Sequence, residues 1–118
     1  MRIFIIGTGT GVGKTWVGRA LAEVLRDAGK RVTAIKPVET GCTGNPGDRE
    51  DGVLLAQAAR QKQPLHAILR LPTPGDPILG GEGVDSAIDF DGLVLKIERY
   101  AEDAEFLLRA GVLPADRV

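Results

Sequence analysis

IFIIGTGTGVGKTWVGRAL, residues 3–21, decides the fold. Ile3, Phe4, Ile5 and Ile6 form a short β-branched and aromatic run, apolar on both faces, as a buried parallel strand would be. Gly7, Gly9, Gly11 and Gly13 then remove side chains and supply positive φ, so that successive backbone N–H groups can point inward at an anion. A helix starting near Lys14 adds the positive end of its dipole to the same point. Lys14 reaches the β- and γ-phosphates of a bound nucleotide, and the Thr15 hydroxyl is placed to ligate the Mg²⁺ that accompanies them. The strict GxxxxGK[ST] spacing asks for glycine where Thr8 stands, and Gly7 sits one place too early. The strand before, the helix after and GKT at the junction still mark a phosphate cradle rather than a surface turn.

Outward from this unit, the helix presents Val17, Ala20, Leu21, Val24, Leu25 and Ala28 at the three-and-four spacing of one buried face, and Gly29 ends it. Arg31–Ile35 reads as a second strand. Pro37 then takes the chain out of the sheet in KPVETG, residues 36–41, so Lys36 and Thr40 emerge on the same edge as the phosphate loop. Residues 41–50, GCTGNPGDRE, are loop by composition and precede a helical pattern through Val53, Leu54, Ala56, Ala58 and Ala59. Asp51 reads either as the cap of that helix or as a magnesium-facing carboxylate; residue type alone favours the cap. Leu65–Leu71 is a candidate short strand, with His66 exposed, and PTPGDPILGGEGVD, residues 72–85, is a long irregular excursion. Asp89 or Asp91 opens a further helix with Leu93, Val94, Ile97, Tyr100, Ala101 and Ala104 on one face, and Phe106–Leu108 starts another buried strand.

The 118 residues fit one domain, 1–118, of ordinary globular composition with 43% hydrophobic and 26% charged residues. A formal net charge of −1 offers no basic field for nucleic acid. The opening apolar run stops at Gly7, too short for a membrane span or a signal core, so a cytoplasmic protein without a membrane partner is expected. Cys42 is the sole cysteine and reads as a passive loop thiol.

Taken together, GTGTGVGKT at 7–15, KPVETG at 36–41 and an aspartate opening a helix after a variable loop resemble the first half of dethiobiotin synthetase. IDFDGLV at 88–94 fits the segment which that family places before its central strand. The resemblance implies an α/β, P-loop NTPase-like three-layer fold with a parallel central sheet, in truncated form. It also implies a homodimer that converts 7,8-diaminononanoate, CO₂ and MgATP to dethiobiotin, ADP and phosphate. Thr10, Gly11, Val12, Gly13, Lys14 and Thr15 would hold the nucleotide, and Thr15 and Asp51 the magnesium. Lys14 and Lys36 would act in catalysis, and Thr40 would contact the substrate. Two departures stand out. Gly9 and Gly11 replace acidic side chains common in the family, and Arg109 stands where the family presents a magnesium-binding glutamate, a role a guanidinium cannot fill. A P-loop synthetase of the cobalamin-pathway type, or a nucleotide-binding remnant without catalysis, are the alternative readings.

Overall fold

A computed structural model describes residues 1–5, 12–72 and 89–111, and of Val12, Gly13 and Lys14 only the backbone. The phosphate-loop turn at residues 7–11 and most of the 72–85 excursion lie outside the described residues. Among the described residues, five strands and three helices follow in the order β1 (Arg2–Ile5), α1 (Val12–Asp27), β2 (Val32–Ile35), β3 (Val38–Glu39), α2 (Asp51–Ala59), β4 (Leu69–Arg70), α3 (Phe90–Glu102) and β5 (Phe106–Ala110).

β5 lies between β1 and β2 and pairs with both in parallel, so the order is β1-β5-β2. The register sets Ile3, Leu108 and Ala34 in one row and Phe4, Arg109 and Ile35 in the next. Because side chains alternate across a strand, the first row faces one layer and the second the other. Ala34 and Leu108 join Ala22 of α1 and Leu55, Ala58 and Ala59 of α2 in one core. Ile35 and Leu107 join Leu93 and Ile97 of α3 in a second. The result is helices, parallel sheet, helix: the expected three layers.

Two sequence expectations change. β1 alternates between exposed and half-buried residues, with Phe4 47% exposed, because it forms an outer strand among the described residues and is not covered on both faces. α1 is also turned from the face that hydrophobicity suggests. Its buried stripe is Thr15, Gly18 and Ala22, with Leu21 and Leu25 packed beside it, while Val17, Val24 and Ala28 are exposed. Close approach is the reason. A Cβ on Gly18 would lie 2.8 Å from Leu55 Cδ2 and 3.3 Å from Ile5 Cδ1, so the small residues, not the larger valines, let α1 settle against α2 and β1.

The ends of the helices follow their chemistry. Gly29, at φ +82°, closes α1 with paired bonds, Lys30 N–H to Leu25 C=O at 3.0 Å and Gly29 N–H to Arg26 C=O at 2.9 Å. Asp89 caps α3 by accepting from Gly92 N–H at 3.0 Å. Leu93 and Ile97 are buried as the periodicity of α3 predicts.

At Pro37, itself buried, the chain leaves the main sheet, and β3 pairs in parallel with β4 as a separate ribbon. The strand expected over Leu65–Leu71 is confined to Leu69–Arg70, since β3 offers it only two partners. Gln61 closes the open side of β2: its Oε1 accepts from Ala34 N–H at 2.7 Å and its Nε2 donates to Ala34 C=O at 2.9 Å, standing in for a neighbouring strand. Among the described residues no helix is long and apolar enough to cross a membrane.

Gly52, in the first turn of α2, rests against the backbone of His66 and Ala67. A Cβ there would collide with Ala67 N and lie 2.8 Å from Ala67 Cα. At an open helical site Gly→Ala gains about 1 kcal/mol. At this one, Gly52→Ala is expected to cost about 1–3 kcal/mol through overpacking. A urea midpoint equal to or above that of the parent would contradict the close approach.

Candidate functional site

Parallel pairing sends the carboxyl ends of β1, β5 and β2 to one edge. α1 starts beyond the end of β1 and carries Thr15 in its first turn; Lys36 is the residue after β2. Asp51 reaches the same edge from the start of α2: its Oδ2 lies 3.5 Å from Lys36 Nζ, with the two side chains 28% and 13% exposed. The structure therefore brings Lys36 and Asp51, 15 positions apart in sequence, into one partly shielded ion pair. Backbone bonds fix Lys36 as well, since its carbonyl accepts from Ile68 N–H at 3.1 Å.

Asp51 is not the cap of α2. The capping position is Glu50, whose side chain makes no cap bond. The two leading amides are taken by Glu39 of β3, which accepts from Asp51 N–H at 2.7 Å and from Gly52 N–H at 2.9 Å, one on each carboxylate oxygen. A carboxylate across two helix-terminal amides satisfies orphan donors and complements the helix dipole. Asp51 is thereby left to face Lys36.

A second clamp lies beside the first. Arg70 of β4 binds Glu50 in a fork, Nε to Oε1 and Nη2 to Oε2, both at 2.7 Å. Gly47 N–H adds a bond of 3.0 Å to the same carboxylate. The Arg70 fork, against the opposing effect of desolvation, holds the Glu50 carboxyl down from an ordinary 4.5 to about 2. Cys42 is buried beside this pair, and desolvation first, then the carboxylates of Glu50 and Glu39, push its thiol upward. That favours the protonated, unreactive thiol. Glu39, Cys42 and Glu50 lie close enough together to suggest a metal cluster, but both carboxylates are already occupied by amides and a guanidinium.

Thr15 carries the other informative atom. It is 5% exposed, and its Oγ1 is buried with no hydrogen-bond partner among the described residues. A buried hydroxyl lacking a partner is costly, and a hard cation would satisfy it. Thr15 Oγ1 and the Asp51 carboxylate are both hard oxygen donors of the kind Mg²⁺ takes, so the residues present fit that ion. Of the other predicted site residues, Thr10, Gly11 and the Lys14 side chain lie outside the described residues; Val12 and Gly13 open α1, two residues earlier than Lys14. Thr40 follows β3 with its side chain exposed. Arg109 is buried on the Phe4–Arg109–Ile35 row, its guanidinium 4.1 Å from the centre of the Phe4 ring.

Glu39 and Arg70 were given no role by the sequence. Glu39 stood in plain view within KPVETG, but only the packing of the ribbon against α2 shows what its carboxylate meets.

A layered α/β fold with a parallel sheet, at whose carboxyl edge Lys36 and Asp51 meet, is that of the P-loop class. The chain belongs to the AAA domain family, whose sequence profile matches residues 1–112. It is 35% identical over 113 residues to the ATP-dependent dethiobiotin synthetase of Xanthomonas axonopodis pv. citri, an alignment covering 92% of this chain and 50% of that protein. The synthetase of the same name from Thermodesulfovibrio yellowstonii is 33% identical, over 92% of this chain and 47% of its own. That of Marinobacter nauticus is 43% identical over 67 residues, 55% of this chain and 29% of its own. The chain thus spans about half the length of the curated relatives it matches.

The Glu50–Arg70 clamp makes stability acid-sensitive. The folded carboxyl, at about 2, lies below its ordinary 4.5, so its contribution is complete above 4.5 and is lost as pH falls toward 2. Glu50→Gln is expected to flatten the decline in urea midpoint across that window; an identical decline in variant and parent would contradict the clamp.

Proposed function

We propose that this chain carries the nucleotide and metal elements of an ATP-dependent dethiobiotin synthetase. The observation that carries the reading is the meeting of Lys36 and Asp51 at the carboxyl edge, together with a Thr15 hydroxyl, in the first turn of the helix after β1, that is buried and unpartnered among the described residues. In the reaction, one amine of 7,8-diaminononanoate attacks CO₂ and loses a proton to give a carbamate. The carbamate oxygen takes the γ-phosphoryl group of ATP, releasing ADP. The second amine then attacks the carbamoyl carbon, phosphate leaves, and the ureido ring closes.

Thr15 and Asp51 would hold Mg²⁺, which when bound supplies charge neutralisation along the phosphates. Lys36 would leave its ion pair with Asp51 to hold the carbamate oxygen against the incoming phosphoryl group. Lys14 would hold the phosphates, assisted by the backbone of residues 10–13. Thr40 would orient the diamine. Phosphoryl transfer asks mainly for positioning and positive charge, which this set provides without a general-base histidine. His66 is exposed and its Nδ1 lies 2.8 Å from the adjacent Ala67 carbonyl, away from this role. A homodimer in the cytoplasm belongs to the same proposal.

Arg109 favours a second reading, in which the chain binds nucleotide without turnover. A buried cation occupies the strand position where the resemblance places an acidic magnesium ligand.

Phosphate release from MgATP with bicarbonate, measured with and without 7,8-diaminononanoate, separates the two. The synthetase reading predicts diamine-dependent release that disappears in Lys14→Ala and falls about 100-fold or more in Lys36→Ala. Absence of any diamine-dependent release would refute catalysis by this chain. Trp16, 68% exposed beside Thr15 on α1, would then report nucleotide binding by its fluorescence.

A further inference from the structure

We propose that Glu39 is a positioning residue for the magnesium-ligating carboxylate of Asp51; this rests on the reading of Asp51 as a ligand. The amides that open a helix attract the nearest carboxylate. Three carboxylates compete at the start of α2. Glu50 is withdrawn by Arg70 and by Gly47 N–H. Glu39 spans both Asp51 N–H and Gly52 N–H. Asp51 alone is left turned away from the amides of its own helix, toward Lys36 at 3.5 Å.

Remove the Glu39 carboxylate and the Asp51 side chain becomes the nearest acceptor for those orphan donors. Its oxygens would then fold back onto the helix instead of facing a cation. Glu39 is well held for this task. Its carbonyl accepts from Leu71 N–H at 2.8 Å, it stands opposite Arg70 in the ribbon, and the first turn of α2 is wedged against the Ala67 backbone through Gly52. The carboxylate therefore fixes the direction of the Asp51 side chain by bonding the Asp51 backbone N–H, a support of the kind that outer partners give to metal ligands.

The test uses Mn²⁺ as the probe, with ADP, its free concentration read by electron paramagnetic resonance, on the parent, Glu39→Gln and Asp51→Asn. Gln keeps the length of the side chain but replaces one acceptor by a donor, so one of the two amides loses its partner. Both variants are expected to weaken Mn²⁺ binding about 10–100-fold. ADP affinity without metal, followed by Trp16 fluorescence, should stay within about twofold of the parent. Normal Mn²⁺ binding by Glu39→Gln together with weakened binding by Asp51→Asn would overturn the role of Glu39 and leave Asp51 standing as a ligand. Unchanged binding by Asp51→Asn would remove the ligand reading, and this proposal with it. Loss of metal-free ADP binding in Glu39→Gln would make the residue merely structural. A readout that needs no variant is amide exchange in the parent: Asp51 and Gly52 N–H should be protected, and exchange at the rate of open amides would overturn the proposal.

Discussion

Parallel hydrogen bonding of β1 and β2 to the central β5 is the constraint on which everything else depends. It aligns three carboxyl ends on one edge and so decides where α1 begins and where Lys36 emerges. It also divides the core. Alternation along β5 commits Leu108 and Ala110 to the α1–α2 layer and Leu107 to the α3 layer. A one-residue slip would exchange these sets and would bury Arg109 among the small residues of α1 and α2.

The β3–β4 ribbon plays a different part. Too short to contribute much core, it supplies two charged hands to the start of α2: the Glu39 carboxylate on the leading amides and the Arg70 guanidinium on Glu50. These fix a helix that has no side-chain cap of its own. The geometry of the carboxyl edge is thus built from the periphery inward. Ribbon holds helix start, helix start holds Asp51, and Asp51 meets the lysine that β2 delivers.

Much of this was legible in residue order. The strand before the phosphate loop and the helix after it, the break at Pro37, the stop at Gly29 and the face of α3 each follow from local chemistry, and each is present among the described residues. Three features were not legible, for reasons of packing. The orientation of α1 depends on Gly18 fitting against Leu55 and Ile5, and hydrophobicity gives a glycine no weight. The exposure of Phe4 depends on which strand lies outermost. The freedom of Asp51 depends on Glu39, a carboxylate 12 residues away, taking the role that Asp51 would otherwise fill. At the site, Lys36 and Asp51 were named separately by motif; their meeting at 3.5 Å is a property of the fold.

The central claim is that Thr15 and Asp51 face one metal–nucleotide site at the carboxyl edge. Paramagnetic broadening of assigned amide resonances by substoichiometric Mn²⁺–ADP tests it most directly. The account predicts selective loss of the Thr15, Lys36 and Asp51 signals while those of Tyr100 and Asp103, which precede β5 at the opposite edge, persist. Intact Asp51 and Thr15 signals, or loss concentrated around Tyr100 and Asp103, would contradict it.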